Sequence, residues 1–452
     1  MNQGLGIVTH DEKTYDLRIS NKSQRQIDQE HWRRLVWEPF GRFPQFTSRR
    51  FSLVCTFVNV DLTEISKKGG RNMYARLGWN VSIAVIGVLV LSFGMAHAQG
   101  KPIKIGQIIP MTGEAAESGK YHKQGAEIAI DKINASGGIK GRKLTVVLED
   151  DQTTNPGGVA ALQKLLEDKE IPVILSSIRS TQVQAMLPTI NEAKIPVAIG
   201  GTNYGLTHSG SQWVFRFRPH DGMSAKVVAK FLVEELKLKK IAIIHASDAF
   251  GNGARDSLVP AVKALGGEMV LDQSYNNQEK DFTGVVQALK KSGATGLSTY
   301  MTFGTDLGVL ARQIKQLGVQ VTWVGSPSIT GVDSRNLAGD SLYGTYGVAD
   351  FNADASPTSK AFAAAYKAKF NQEPDLYASW CYDAVMVFAE AMKRSPDFKP
   401  ENLRKAILEI QKFPGAEGEY NFDQNGDGLD HYHVVRNVNG NIKYFKTLHV
   451  SR

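Results

Sequence analysis

IPVILSSIRSTQVQAMLPTINEAKIPVAIGG, residues 171–201, contains two short apolar runs separated by an amphipathic stretch. Residues 171–177 and 195–201 are apolar at nearly consecutive positions, not at every second one, which marks strands covered on both faces. The residues between them repeat their apolar positions at helical spacing and predict a helix over 181–193. The same unit recurs on either side. IKIGQII (103–109), KLTVVLE (143–149), KIAIIHA (240–246), GLSTYM (296–301) and VTWVGS (321–326) read as further strands. Helices are expected near 119–135, 157–168, 223–236, 252–265, 281–291 and 305–317. Strands buried on both faces and alternating with helices imply parallel sheets sandwiched by helices, a doubly wound α/β architecture. Beyond residue 350 the pattern changes to three helices (357–370, 376–394, 400–410) and a closing hairpin, HYHVVRNVNGNIKYFKTL, that turns at Asn439-Gly440.

Upstream, Met73–Ala98 reads as an export signal. Arg71 and Arg76 supply positive charge, VSIAVIGVLVLSF (81–93) is an apolar run too short to span a bilayer comfortably, and Ala96-His97-Ala98 is an A-x-A cleavage site. Cleavage after Ala98 would release a periplasmic protein; an uncleaved signal anchor is the competing reading. Residues 1–72 show no sustained period of either kind and are left out of the fold. The simplest account takes Met73 as the initiator and the stretch before it as an over-extended reading frame, so peptides from 1–72 in the native protein would count against it.

The chain carries 53 basic and 45 acidic residues. Of these, 13 and 8 lie in residues 1–98, leaving 40 against 37 and a net charge of about +3. That surface, with no basic run interleaved with aromatics, does not suit nucleic acid. Cys55 lies upstream, so Cys381 is the one cysteine after the cleavage site and reads as a buried structural thiol. About 350 residues after cleavage are too many for one compact core and suit two domains.

In doubly wound sheets, solutes bind in the loops at the carboxyl ends of strands. Ile178-Arg179-Ser180-Thr181 lies between a strand and a helix, which makes Ser180 a candidate N-cap whose hydroxyl, with the helix's first N–H groups, faces an anion. Gly200-Gly201-Thr202-Asn203 follows the next strand, and its paired glycines allow bare backbone to approach a small molecule. Plain capping and turn chemistry is the alternative for both loops. No Walker loop, G-x-S-x-G elbow or G-x-G-x-x-G after a strand occurs after residue 98, so no catalytic or cofactor-binding site is expected. Asp423-Gln424-Asn425-Gly426-Asp427-Gly428 begins like a calcium loop, but Val434 stands at the twelfth position where a bidentate Glu belongs, and the run reads as a turn. His431 and His433 alternate on a strand and offer a two-ligand face, with no Cys or third His placed to complete a metal site.

From Lys101 onward the chain resembles the periplasmic substrate-binding proteins of branched-chain amino-acid ABC importers, the leucine/isoleucine/valine-binding family. The resemblance is carried by IKIGQIIPMTG, GAEIAIDKINASGGIKGRKLTVVLEDDQTTNP, the Ser180 and Gly200-Gly201-Thr202 loops, IAIIHASDAFGNG and ALKKSGATG. It implies a type I, Venus-flytrap fold: two doubly wound lobes joined by three crossovers and closing on solute by a hinge. The crossovers would fall near 218–220, 344–347 and 421–423. The lobes would comprise 101–218 plus 348–421 and 219–347 plus 422–452.

By the same resemblance, Ser118, Ser180, Gly200, Gly201 and Thr202 grip the α-carboxylate and side chain of the solute, Ser118 standing where some members carry an aromatic. Phe250 and Phe303 close over the solute from the second lobe, though both also suit an ordinary core. Asp221 stands where related receptors hold an ammonium group, though it also suits a helix cap. The departure is Gly325-Ser326-Pro327-Ser328, where leucine-type members carry an acidic partner for the ligand's ammonium. Either Asp221 replaces that acid, or the solute is an aromatic or aliphatic carboxylic acid, or an amide, with no ammonium. Trp380 either adds an aromatic wall or packs its helix. The expected protein is a non-enzymatic, monomeric periplasmic binding component that delivers a small carboxylate to a membrane permease. A ligand-sensing regulator of the same shape and an enzyme on a doubly wound fold are the alternatives.

Overall fold

The computed structural model describes residues 100–450; the segments 1–72 and 73–98 and Cys55 lie outside the described residues. Strands β1 (Ile103–Ile109), β2 (Leu144–Asp150), β3 (Ile174–Leu175), β4 (Val197–Ile199) and β5 (Val214–Arg216) form a five-stranded sheet in the order β2-β1-β3-β4-β5. Every pair in it is parallel. Strands β6 (Lys240–Ala246), β7 (Glu268–Tyr275), β8 (Gly296–Tyr300), β9 (Thr322–Gly325) and β10 (Tyr346–Ala349) belong to a second sheet. After a small ribbon of β11 (Phe413–Pro414) and β12 (Glu419–Tyr420), this second sheet is completed by β13 (His431–Val438) and β14 (Asn441–His449). Its order is β14-β13-β10-β9-β8-β6-β7, parallel from β10 to β7 and antiparallel at β10, β13 and β14. The hairpin turns at Asn439 (φ 51°) and Gly440 (φ 86°), the pair of left-handed residues that a two-residue hairpin turn requires.

The unbroken apolar runs have a direct cause. Successive side chains of β1 point to opposite faces, so Ile103 and Ile105 enter one buried cluster while Ile108 enters another. In β6, Ile241 and Ile243 fill one cluster and Ala242 and Ile244 the next. The largest cluster packs helix Ala116–Ala135 against helix Leu376–Arg394. They approach tightly at Gly125, where a Cβ would sit 2.0 Å from the Ala378 carbonyl oxygen. Trp380 is fully buried in this cluster and forms no cavity wall. Cys381 lies beside it; burial pushes its thiol well up, and Gln107 Nε2 donates to Sγ at 3.6 Å.

Clusters of the first sheet draw on residues 103–217 and 351–429, with Val332 as the one buried residue added from outside these ranges, and those of the second on 223–348 and 432–434. The chain therefore passes between cores about residues 218–222, 349–350 and 430–431. The second and third passages come later than the sequence suggests. Tyr346–Ala349 pairs with β9 and β13 and so belongs to the second sheet. Phe422 and Leu429 pack in the first core, and the intervening turn faces Arg216. That turn is the calcium-like run: Asp423 Oδ1 accepts from the N–H groups of Asn425 (2.9 Å) and Asp427 (3.0 Å). Beyond the expected elements there are β5, β7, β10 and a helix, Val332–Ala338, while the helix expected over 223–236 is Asp221–Ala229 running into a π-helical turn, Lys230–Glu235. No helix among the described residues is long and apolar enough to cross a membrane.

Candidate functional site

A cavity of about 50 Å³ lies between the carboxyl ends of the two sheets. At about 10–15 Å³ per water-sized group it suits a small solute rather than a peptide or an oligosaccharide. Ala115, Ser118, Ile178, Arg179, Ser180, Thr202, Leu376 and Tyr377 line it from the first core's elements; Phe250, Thr302, Phe303, Pro327, Ser328 and Asp333 line it from the second's; Arg218 lies at the first passage. The two sides already touch. Asn203 Nδ2 donates to the Ala249 carbonyl at 2.6 Å, Val332 N–H to Asp375 Oδ2 at 3.1 Å, and Asn336 Nδ2 to Glu117 Oε1 at 3.1 Å.

The expected site residues divide into two groups. Ser118, Ser180, Thr202, Phe250 and Phe303 reach the wall; Gly200, Gly201 and Asp221 do not. Ser180 is not the N-cap, a position held by Arg179; it is the first residue of helix Ser180–Ala193. Its hydroxyl oxygen accepts from the N–H groups of Thr202 and Asn203, each at 3.1 Å, tying the two loops together while its own proton stays available to a solute. Ser118 Oγ donates to the Ala115 carbonyl at 2.8 Å. A Cβ at Gly200 would lie 3.0 Å from the Trp380 ring and one at Gly201 2.8 Å from Leu206 Cδ1. These glycines therefore serve tight packing behind the wall instead of contact with a solute.

Asp221 opens helix Asp221–Ala229, its N–H donating to the Thr202 carbonyl at 2.8 Å. Burial pushes its carboxyl up to about 7, against the pull of the Thr202 hydroxyl and of Arg216 and Arg218. Its Oδ2 has no partner among the described residues.

The wall also holds polar residues outside the expected set, among them Arg179, Arg218, Asp333 and Tyr377. Arg179 Nη1 lies 3.5 Å from Asp151 Oδ2 and donates to Gln182 Oε1 at 3.2 Å, and its guanidinium sits 5.7 Å from the Phe303 ring centre across the cavity. Arg218 is paired through Nε with Asp350 and donates Nη1 to the Gly200 carbonyl at 3.0 Å. Asp333 accepts from Ser334 N–H at 3.0 Å and from the Tyr377 hydroxyl at 3.2 Å. Burial pushes the Asp333 carboxyl above the usual range. Behind Tyr377, at 5.4 Å between ring centres, lies His122; burial, then Arg179 and Arg218, keep it neutral. Both arginines thus carry their own carboxylates, while among the described residues Asp333 is answered only by neutral donors in direct contact.

The sequence reading placed no third histidine near His431 and His433. The β13–β14 register corrects this, because His431 faces His449 directly.

A sequence model of the periplasmic binding proteins matches residues 102–441. The leucine-, isoleucine-, valine-, threonine- and alanine-binding protein of Pseudomonas aeruginosa is 29% identical over 343 residues, 75% of this chain and 90% of that protein. The leucine-specific-binding protein of Salmonella typhimurium is 28% identical over 76% of this chain and 92% of its own length. Among solved structures, the leucine binding protein LivK of Thermotoga maritima superposes with a TM-score of 0.72 at 22% identity, covering 77% of this chain and 99% of that one. A solute binding protein from R. palustris in complex with benzoate gives 0.71 at 18% identity, covering 78% and 98%.

Proposed function

The chain belongs to the periplasmic binding protein family, and from that premise we propose that it is the solute-binding component of an ABC importer, with a small amino acid as its solute. The observation that carries the amino acid is Asp333, a wall carboxylate with no cation in direct contact among the described residues. A solute ammonium would supply the missing positive charge. The solute carboxylate would lie on the opposite side, against the Ser180 hydroxyl and the N–H groups of Arg179 left over from Asp151 and Gln182. Asp333 thereby takes the part that the 325–328 loop lacks, and Asp221, away from the wall, does not. Phe250 and Phe303 cover the apolar part. Export through a signal cleaved after Ala98, action as a monomer and hand-over to a membrane permease complete the reading, which includes no catalysis.

A second reading rests on the stacking of Arg179 on Phe303, a pair able to hold an aromatic carboxylate, the class of solute seen in the R. palustris neighbour. A thermal-shift screen on refolded protein separates the two. A solute at one hundred times its Kd adds about 2.7 kcal/mol. Leucine, isoleucine, valine, threonine or alanine should raise the melting temperature, and Asp333→Asn should weaken that solute at least tenfold. A shift with benzoate and none with amino acids would overturn the first reading in favour of the second.

A further inference from the structure

We propose that Asp375 is a positioning residue: by bonding across the cleft to Val332 it sets the segment Gly331-Val332-Asp333 against the solute cavity and slows release of the solute. The inference rests on the reading of this cavity as a solute site between two closing lobes, and it assigns a role to a residue that does not line the cavity. Asp375 serves two backbone segments with one carboxylate. Its Oδ1 accepts from the Tyr377 N–H at 2.9 Å, which makes Asp375 the N-cap of helix Leu376–Arg394. Its Oδ2 accepts from the Val332 N–H at 3.1 Å, from the opposite side of the cleft.

Val332 is the first residue of helix Val332–Ala338, so its N–H has no acceptor within that helix. Parting the two sides hands that N–H to water, whereas the bond from Tyr377 survives, because both of its ends belong to the first core. The Val332 side chain is an independent sign that this segment docks. It is 6% exposed and lies in the buried cluster of the first core, although its chain neighbours belong to the second. Asp333 follows directly and has little freedom of its own. The Tyr377 hydroxyl donates to it at 3.2 Å and the Ser334 N–H at 3.0 Å, and a Cβ at Gly304 would lie 2.3 Å from its Cγ. Where Val332 docks therefore decides where the Asp333 carboxylate stands in the wall.

Burial pushes the Asp375 carboxyl up to about 7, against the pull of Arg335 and of the Val332 and Tyr377 N–H groups, with Asp333 adding to the push. A buried carboxylate held by few donors loses much when one of them leaves. Two substitutions remove the bond to Val332 with little other change. Asp375→Asn keeps a good N-cap but leaves one acceptor oxygen for two N–H groups. Val332→Pro deletes the N–H and keeps an apolar side chain. Proline is tolerated at the first helical position, and Gly331, at φ −61° and ψ 149°, already has the extended backbone that a residue before proline adopts.

The test is stopped-flow tryptophan fluorescence of the full chain at pH 8.5, where the Asp375 carboxyl is ionised, with leucine and benzoate as probes. Each variant should release its probe at least about tenfold faster than the parent, the size of a lost hydrogen bond to a charged acceptor, while association changes less than threefold. Combined in one chain, the two substitutions should release the probe no faster than the stronger of them alone, because both act on one bond. Damage to the fold would instead lower the fraction of chains that bind and would add up in the double variant, which would refute the assignment. If a probe binds the parent and both variants release it at the parental rate, Asp375 has no part in closure and the solute-site reading stands. Binding of benzoate without leucine overturns the amino-acid reading alone, and the benzoate release rates then decide for or against Asp375. Binding of neither probe overturns the proposal together with the reading it rests on.

Discussion

Replacing Asp427 with Asn removes the carboxylate that touches a fully buried guanidinium. Arg216 is 0% exposed, and its Nε donates to Asp427 Oδ1 at 2.7 Å. Its remaining N–H groups are spent on the carbonyls of Asn203 (2.6 Å), Tyr204 (3.2 Å) and Gly201 (3.4 Å) and on the Thr207 hydroxyl. Every one of those acceptors is neutral, so the variant leaves the arginine hydrogen-bonded but without a carboxylate in contact. Breaking a buried pair this way costs about 3–5 kcal/mol. Asn keeps an acceptor for Nε, which places the expected loss near the lower end, about 3 kcal/mol. For a folding unit of about 200 residues this corresponds to a fall in Tm of roughly 6–12 °C.

The pH dependence follows from the same pair. Burial would raise the Asp427 carboxyl, but the charge and hydrogen bond of Arg216 outweigh it and hold the group below its ordinary value. A depressed acid stabilises the fold above the unfolded value near 4 and loses that contribution as pH falls through the folded value. Calorimetric melts of wild type and Asp427→Asn should therefore differ fully at pH 6–7 and converge between pH 5 and pH 3. A gap under about 1 kcal/mol at pH 7, or one that does not narrow on acidification, would refute the reasoning.

Gly125→Ala should destabilise by about 2–3 kcal/mol, because helix 116–135 must withdraw from the Ala378 carbonyl or strain its own backbone; a thermal melt equal to wild type would show that the helices separate freely. Asp221→Asn should change how stability varies with pH. The Asp221 carboxyl is raised to about 7, so its contribution is present below about 4 and lost as pH rises through 7. The variant should therefore gain on wild type by several kcal/mol at most between pH 5 and pH 8, and equal differences at the two pH values would count against a buried, strained carboxylate.

The parallel strands could be read because burial on both faces leaves a local mark: β1 and β6 coincide with their apolar runs. Glu268–Tyr275 escaped because it is an edge strand whose polar residues Asp272 and Ser274 are exposed, and β5 because three residues are too few for a period. Residues 344–347 read as a passage between lobes because the partners of Tyr346–Ala349, β9 and β13, lie about 20 and 90 residues away in sequence and only pairing reveals the strand. At the site, Ser180 and Thr202 stand out as polar residues directly after apolar runs. Asp333 does not, because it follows a single-turn 3₁₀ segment, Pro327–Thr330, that carries the chain back to the cavity. Arg179 and Arg218 were visible as letters, but a charge is informative only once its partner is known, and Asp151 and Asp350 are distant in sequence. His449 became a partner of His431 only through the register of the hairpin.

The first core is built from both ends of the chain. Gln107 meets Cys381 across 274 positions, Lys132 meets Tyr382 across 250, and the Tyr420 hydroxyl reaches the Phe217 carbonyl across 203. During synthesis, the residues that form the five-stranded sheet are made long before helix Leu376–Arg394, which covers one face of it, exists. Contacts this distant in sequence slow folding. The first core therefore cannot be completed until the last third of the chain has been made, because helix Leu376–Arg394 and Tyr420 are part of it.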